Sequence, residues 1–143
     1  MTESADNKRR GQCLCGSVVF EIAVPRPSYH VCHCGMCRRW GGGPWMSVIC
    51  PGPATFLSDE TLAWFQGSKW AERGHCTTCG SSLFFRLAAK PDAVTAVSVD
   101  AFDDNADFTL GRHIYVDAQP ARYTFADDCP RLTEAEFQAE MRG

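Results

Sequence analysis

The chain has 143 residues, of which 45% are hydrophobic and 22% charged, with a formal net charge of −3 and a pI near 5.7. This length and composition are typical of one globular domain with a substantial buried core. The acidic balance speaks against a nucleic-acid partner. No apolar run approaches the roughly 20 residues that cross a bilayer, which speaks against a membrane protein.

The first ten residues, MTESADNKRR, are polar and lack the apolar segment of a secretion signal. We predict that residues 1–10 form a disordered tail and that residues 11–143 form a single domain. The expected location is the cytoplasm. The sequence carries no information on the oligomeric state.

Strand signals dominate the rest of the chain. The side chains of Ser17–Ile22 alternate between two faces, with the apolar Val18, Phe20 and Ile22 on one of them. Further short runs bounded by turn signals predict strands at Trp45–Cys50, Thr61–Phe65, Trp70–His75, Ser82–Leu87, Val94–Val99, His113–Val116 and Arg122–Phe125. Turn signals about every ten residues favour antiparallel sheets.

Two short helices complete the prediction. One is a turn after Cys34, and the other is Thr133–Met141, where Thr133 and Glu136 form a capping box. The predicted fold class is therefore mainly β, with antiparallel sheets, short helical turns and a C-terminal helix.

Seven of the nine cysteines lie in three clusters: Cys13 and Cys15; Cys32, Cys34 and Cys37; Cys76 and Cys79. In a reducing compartment such clusters indicate metal ligands more often than disulfides, which remain the alternative. Zinc–sulfur bonds of about 2.3 Å require tight turns that bring thiolates together. Gly16 and Gly80 follow the two pairs and suit such turns. Zinc is therefore favoured over an iron–sulfur cluster.

Seven clustered cysteines cannot fill two four-cysteine sites. Joining the two pairs gives one closed site, and the triple remains as a site with three ligands. A closed site is structural, whereas three protein ligands and an open position are typical of a catalytic zinc. The fourth ligand is then water or substrate, and the alternatives are His30, His33, His75 and Cys50. Cys50 and Cys129 are otherwise interpreted as buried small hydrophobic residues.

The cysteine motifs and their flanks carry a family resemblance. The segments GQCLCGSV, CHCGMCRRWGGGPW and WAERGHCTTCGSSLFFRL, together with the later RHIYVDAQPARYTF and DDCPRLT, resemble the glutathione-dependent formaldehyde-activating enzyme family, which includes the centromere protein V domain. The resemblance spans about Gly11 to Thr133.

This resemblance implies a β-tent fold that holds two zinc ions per chain. The structural zinc would lie on Cys13, Cys15, Cys76 and Cys79, and the second, catalytic zinc on Cys32, Cys34 and Cys37. The implied activity is that of a carbon–sulfur lyase acting on S-hydroxymethylglutathione. The implied partners are glutathione or another small thiol and an aldehyde.

Residues beside the triple are candidate substrate contacts. Arg38 and Arg39 suit a substrate carboxylate or the negative charge of the zinc–thiolate group, and surface ion pairs are the alternative. Gly42 and Gly43 let the backbone approach a ligand, and a flexible turn is the alternative. His33 is a hypothetical proton shuttle. A second functional hypothesis is a zinc-stabilised protein-binding module without catalytic activity.

Overall fold

The computed structural model describes residues 7–142. Within this range the strands are β1 (Lys8–Gln12), β2 (Val19–Ala23), β3 (Ser28–Cys32), β4 (Trp45–Pro51), β5 (Thr55–Ser58), β6 (Leu62–Gln66), β7 (Ala71–Cys76), β8 (Ser82–Leu87), β9 (Val94–Ser98), β10 (Thr109–Ile114) and β11 (Arg131–Leu132). The helices are α1 (Gly35–Gly41) and α2 (Glu134–Arg142), with 3₁₀ turns at Val99–Ala101 and Val116–Ala118. The mainly β class, with short helices and a C-terminal helix, is confirmed.

The strands form two sheets. Three strands lie in the order β1-β2-β5, and eight lie in the order β11-β10-β3-β4-β9-β8-β7-β6. Antiparallel pairs such as β7 with β8 follow the predicted hairpins. Strand β10 runs parallel to both β3 and β11. The partners β3 and β10 are far apart in sequence, and a long connection permits parallel pairing.

The chain divides into two compact units. The first contains the residues up to Pro27 together with Val48–Phe108, and the second contains Ser28–Ser47 and Thr109–Gly143. Strand β4 begins in the second unit and ends in the first. Each of the two cysteine clusters described below lies within one unit.

The core of the first unit is aromatic and aliphatic. Val18, Phe20 and Ile22 are buried, as the alternation in this segment predicts. The ring of Phe20 packs edge-on against Phe84, with centroids 4.9 Å apart. Burial of each such side chain stabilises the fold by about 2 kcal/mol. Gly11 makes room for Phe20, because a Cβ at this position would lie 2.4 Å from the ring.

The second unit contains α1, α2, β3, β10 and β11, and Phe137 of α2 packs against His30 of β3 and Arg112 of β10. The predicted capping box at the start of α2 is present: the Thr133 amide donates to the Glu136 carboxylate at 2.8 Å, and the Glu136 amide donates to the Thr133 hydroxyl at 3.2 Å. The Gln138 amide of α2 donates to the Tyr115 hydroxyl at 2.6 Å. Helix α2 is thereby tied to the end of β10.

The segment Arg122–Phe125 was predicted as a strand, and this prediction is wrong. Side chains replace a neighbouring strand as partners of its backbone: Gln119 donates to the Tyr123 carbonyl at 3.0 Å, and Arg131 donates to the Phe125 carbonyl at 3.2 Å. Strand β10 also ends before the predicted Val116, because Tyr115 adopts a left-handed conformation with φ of 58°.

The start of the chain differs in part from the predicted tail of residues 1–10. Residues 1–6 lie outside the described range, but Lys8, Arg9 and Arg10 belong to β1. Arg9 donates to Asp107 at 2.7 Å and places its guanidinium over the Phe108 ring, at 4.6 Å from the centroid. These contacts stabilise the strand conformation of this charged segment. The single domain for residues 11–143 stays a prediction.

No helix in residues 7–142 is long and apolar enough to cross a membrane. The cytoplasmic location stays a prediction.

Candidate metal centres and the hydrogen-bond chain beside them

Four cysteine sulfurs converge in the first unit. They belong to Cys13, Cys15, Cys76 and Cys79, and all lie within 4.8 Å of one another. The sulfur of Cys15 lies 3.7 Å from that of Cys13 and 3.8 Å from that of Cys76. Four sulfurs placed tetrahedrally around zinc at about 2.3 Å would be roughly 3.8 Å apart. The donor set and its spacing therefore fit a closed zinc site.

Two glycine turns form this closed cluster. Gly16 has φ of 82° and donates its amide to the Cys13 carbonyl at 3.1 Å. Gly80 has φ of 81° and donates to the Cys76 carbonyl at 2.9 Å. Both turns need positive φ, which glycine adopts without the steric cost of a Cβ. The role predicted for these two glycines is confirmed.

Hydroxyl groups beside the closed cluster favour the thiolate forms of Cys76 and Cys79. Burial raises the pKa of Cys76, but hydrogen bonds from Ser17 and Thr61, each at 3.4 Å, outweigh it and bring the pKa to about 5. The Ser81 hydroxyl, 3.2 Å from the sulfur of Cys79, lowers the pKa of that thiol to about 7. Thiolate is the form that binds zinc, so these contacts prepare the site for the metal.

Three cysteine sulfurs converge in the second unit, where β3 ends and α1 begins. The sulfurs of Cys32, Cys34 and Cys37 lie within 4.8 Å of one another. Cys34 is the N-cap of α1, and its sulfur accepts the Cys37 amide at 3.3 Å. Within residues 7–142 the group contains no fourth ligand atom from His, Cys, Asp or Glu.

Repulsion among the thiolates of the three-cysteine cluster favours the binding of a cation. Hydrogen bonding with Cys34 and Cys37, followed by burial, raises the pKa of the Cys32 thiol. Three thiolates at this separation repel one another, and a bound divalent ion offsets that repulsion. Soft thiolate donors select zinc over hard cations such as magnesium or calcium. The donor set therefore fits a zinc ion with three protein ligands.

The alternative fourth ligands have other partners. Nδ1 of His33 lies 2.8 Å from the Tyr123 hydroxyl, and its Nε2 lies 2.8 Å from Nδ1 of His113. Nε2 of His30 lies 3.1 Å from the Ser47 hydroxyl. The Cys50 thiol is buried and donates to the Val48 carbonyl at 3.7 Å. His75 lies outside both cysteine groups.

A hydrogen-bond chain passes through His33, which lies between Cys32 and Cys34 in the sequence. It runs from the Tyr123 hydroxyl through His33 and His113 to Asp127, whose carboxylate lies 3.0 Å from Nε2 of His113. Both imidazoles are buried, with exposed fractions of 0% and 1%, whereas Tyr123 is half-buried. Phe125 packs edge-on against both imidazole rings.

Of this hydrogen-bond chain, only His33 was a candidate in the sequence analysis. Tyr123 and His113 lie 90 and 80 positions away from His33, and no local spacing connects them. Both belong to the segment RHIYVDAQPARYTF, which the sequence analysis used for two predicted strands and for the family resemblance but not for a site residue. The parallel pairing of β10 with β3 brings His113 beside Val31, close to His33.

Burial and hydrogen bonding determine the pKa values of His33 and Asp127 in the hydrogen-bond chain. Burial, followed by the neighbouring His113, lowers the pKa of His33 to about 4. Burial raises the pKa of Asp127, but hydrogen bonds from His113 and from the Cys129 amide outweigh it and leave the pKa below its usual range. Asp127 is therefore ionised at neutral pH, and its oxygens act only as hydrogen-bond acceptors.

The four predicted substrate-contact residues lie on α1 and the turn after it. Arg38 donates to the His33 carbonyl at 3.0 Å and to the Ala118 carbonyl at 3.4 Å, whereas Arg39 is exposed. Gly42 is the C-cap of α1, with φ of 84°. An added Cβ at Gly43 would meet no atom within 4 Å. Arg38 thus braces the helix, and the side chain of Arg39 faces solvent.

Comparisons with known proteins point in one direction. The model of the family described as glutathione-dependent formaldehyde-activating enzyme matches residues 8–118. A Schizosaccharomyces pombe protein named as an uncharacterized lyase is 27% identical over 131 residues, covering 92% of this chain and 95% of its own. A Rhodobacter sphaeroides crystal structure is 22% identical with a TM-score of 0.57, covering 71% of this chain and 98% of its own. The last comparison supports the fold alone.

Proposed function

Because the chain belongs to the glutathione-dependent formaldehyde-activating enzyme family, we propose that it is a zinc-dependent carbon–sulfur lyase. It forms or cleaves S-hydroxymethylglutathione or a similar adduct of a thiol and an aldehyde. One observation carries the proposal: Cys32, Cys34 and Cys37 converge without a fourth protein ligand from the described His, Cys, Asp or Glu residues. That arrangement leaves one position for a substrate thiol.

The two cysteine groups have different roles in this proposal. The closed group of Cys13, Cys15, Cys76 and Cys79 would hold a structural zinc. Cys32, Cys34 and Cys37 would hold a second zinc, which would supply a Lewis acid that keeps a substrate thiol in its thiolate form, the nucleophilic form of sulfur. The cysteine sulfurs fix where the substrate sulfur lies, which supplies proximity and orientation.

The reaction is balanced without an oxidant or reductant. In synthesis the thiol releases its proton, its sulfur forms a bond to the aldehyde carbon, and the carbonyl oxygen takes up one proton. In cleavage the carbon–sulfur bond breaks, its electron pair stays on sulfur, and the hydroxyl proton is released as the carbonyl re-forms.

The helix after the triple provides the proposed substrate contacts. The exposed guanidinium of Arg39 binds a carboxylate of the thiol substrate, which glutathione would supply. Arg38 keeps α1 in place through its bonds to the His33 and Ala118 carbonyls and adds positive charge beside the thiolates. A Cβ added at Gly42 or Gly43 would meet no atom within 4 Å, and this space lets a ligand approach the backbone.

Native mass spectrometry with and without glutathione, followed by a lyase assay, tests the proposal. The wild-type chain is expected to carry two zinc ions, to bind one glutathione, and to exchange glutathione and formaldehyde with their adduct faster than the spontaneous rate. Cys34→Ser should retain the structural zinc and lose both the glutathione and the rate enhancement. Cys50→Ala is the matched control, because its thiol lies outside both clusters and bonds only the Val48 carbonyl among the described contacts, and it should retain both zinc ions and the activity.

A protein-binding module is the second candidate. Two apolar side chains within the zinc-binding segments favour it: Leu14, between Cys13 and Cys15, is 86% exposed, and Met36 on α1 is 44% exposed. Cobalt replacement separates the two functions, because adding a thiol changes the absorption of a cobalt ion only at an open position. Two bound metals, no spectral change and no rate enhancement would favour the module and overturn the lyase.

A further inference from the structure

We propose that Tyr123 contacts the substrate of the three-cysteine site, and that Asp127 and His113 are positioning residues that fix its hydroxyl through His33. The proposal rests on the lyase function proposed above. The four residues form one continuous hydrogen-bond chain with spacings of 2.8, 2.8 and 3.0 Å. All four lie in the second unit, together with the three cysteines.

The location of Tyr123 supports a role at the site. Its hydroxyl bonds the side chain of His33, which stands between Cys32 and Cys34 in the chain. Arg38 of α1 donates to the backbone carbonyl of the same His33 at 3.0 Å. Tyr123 is half-buried, whereas the two imidazoles behind it are fully enclosed. Apart from Asp127 at the far end, Tyr123 is thus the member of the chain that reaches the surface.

Hydrogen-bond chemistry gives the chain a direction. The carboxylate of Asp127 is acceptor-only, so His113 donates to it from Nε2. A neutral His113 then accepts at Nδ1, which requires Nε2 of His33 to donate. Nδ1 of His33 accepts in turn, and the Tyr123 hydroxyl donates to it. The Tyr123 hydroxyl therefore uses its only proton in the hydrogen bond to His33.

The opposite direction requires protons on both nitrogens of His113. In that arrangement Nδ1 of His33 would donate to the Tyr123 hydroxyl, and Tyr123 would keep its proton free for a substrate. Asp127 has further partners: the Cys129 amide donates to it at 2.9 Å, and the Arg131 guanidinium forms an ion pair with it at 3.6 Å. Groups other than His113 therefore balance part of the Asp127 charge.

This direction defines what Tyr123 recognises. With its proton donated to His33, the phenol oxygen offers lone pairs to a donor on the substrate. The hydroxyl group of a hydroxymethyl thioether is such a donor, whereas the free aldehyde has none. Tyr123 thus favours the adduct over the free aldehyde and orients the hydroxyl whose oxygen becomes the carbonyl.

Two readouts test the proposal on the zinc-loaded full chain. The first uses ¹⁵N NMR to determine which imidazole nitrogens carry protons, with signals assigned by single substitutions of His33 and His113. Each imidazole is expected to carry a proton on Nε2 and none on Nδ1. A proton on Nδ1 of either residue would overturn the proposed direction, whether or not the protein is an active lyase.

The second readout is steady-state kinetics of adduct cleavage. Tyr123→Phe is expected to lower kcat/KM for the adduct about tenfold or more while two zinc ions and the affinity for glutathione are retained. Tyr29→Phe, which removes a hydroxyl elsewhere in the same unit, is the control. Asp127→Asn should lower kcat/KM similarly, and Asp128→Asn, the exposed neighbouring carboxylate, should not.

A double-mutant cycle separates positioning from a structural role. If Asp127 acts through Tyr123, Asp127→Asn lowers kcat/KM little further in the Tyr123→Phe background. Fully additive losses, or wild-type kcat/KM in Tyr123→Phe, would overturn the proposal. If the wild-type chain is not a lyase, the proposed function fails. The binding of S-hydroxymethylglutathione, measured by calorimetry, then decides: weaker binding in Tyr123→Phe supports the contact, and equal binding overturns it.

Discussion

The sulfur atoms of Cys15 and Cys76 lie 3.8 Å apart, although the two residues are 61 positions apart in the chain. One belongs to the turn between β1 and β2, and the other ends β7. A zinc ion on the four-cysteine cluster would therefore link two distant hairpins and stabilise the first unit. The three-cysteine cluster lies within one short segment, from the end of β3 to the first turn of α1, and closes no comparable loop.

This difference predicts unequal effects of losing one ligand from each cluster. Cys76→Ser should remove the structural zinc and unfold the chain or lower its melting temperature sharply, because metal binding and folding are coupled. Cys34→Ser should change the melting temperature by only a few degrees. Calorimetry with zinc analysis of each variant checks this. Equal destabilisation by the two substitutions would show that the three-cysteine cluster is also a structural site.

The glycine turn after Cys79 predicts a purely conformational cost. Gly80 has φ of 81°, and an added Cβ would meet no atom within 4 Å. Gly80→Ala should therefore destabilise the chain by about 1 kcal/mol, through backbone strain alone. Urea unfolding measures the change. Gly43→Ala is the control, because its Cβ also meets open space and its φ is not positive. An equal effect of the two substitutions would contradict the role of the left-handed turn.

The structure explains which features the sequence revealed. The hairpin around Cys76 and Cys79 and the burial of Val18, Phe20 and Ile22 depend on neighbours close in the chain, and local spacing predicts them. The cysteine clusters were likewise visible, because each set of ligands occupies a short segment. The four-cysteine site could be predicted only by counting ligands, because its two cysteine pairs are distant in the sequence.

Features that depend on distant partners escaped the sequence analysis. Strand β3 reads SYHVC and has no clean alternation, and its partner β10 lies far away in the chain. The segment around Tyr123 has alternating apolar residues but turns both of its aromatic rings toward buried imidazoles. The conformation of this segment depends on contacts with distant side chains, and such contacts produce no periodic pattern in the sequence.

Removing the capping box at the start of α2 should lower the stability of the chain slightly, and a serine in place of the threonine should restore it. Thr133→Ala removes the hydroxyl that accepts the Glu136 amide at 3.2 Å, and it should cost about 1 kcal/mol. Thr133→Ser should restore most of the loss, because serine offers the same acceptor. Thermal unfolding compares the three chains. A serine variant as unstable as the alanine variant would show that the threonine methyl group, rather than the cap, stabilises this end of the chain.

Buried His30 predicts that stability falls as the solution becomes more acidic. Burial, followed by the charge of Arg112, lowers the pKa of His30 to about 4 from an ordinary value of 6.5. Between these two pH values the unfolded chain binds a proton that the folded chain does not. The free energy of unfolding therefore decreases as the pH drops from 7 toward 4. For this one group the loss between pH 7 and pH 5 is about 2 kcal/mol.

Replacement of His30 isolates this contribution. His30→Gln does not titrate in this range and retains a side chain that can bond the Ser47 hydroxyl. Urea unfolding of both chains at pH 7 and pH 5, in excess zinc, gives the comparison. Protonation of the cysteine ligands affects both chains alike, since their cysteines are identical, and it cancels in the difference. The wild-type chain should lose about 2 kcal/mol more than the variant, and equal losses would show that His30 titrates normally in the folded chain.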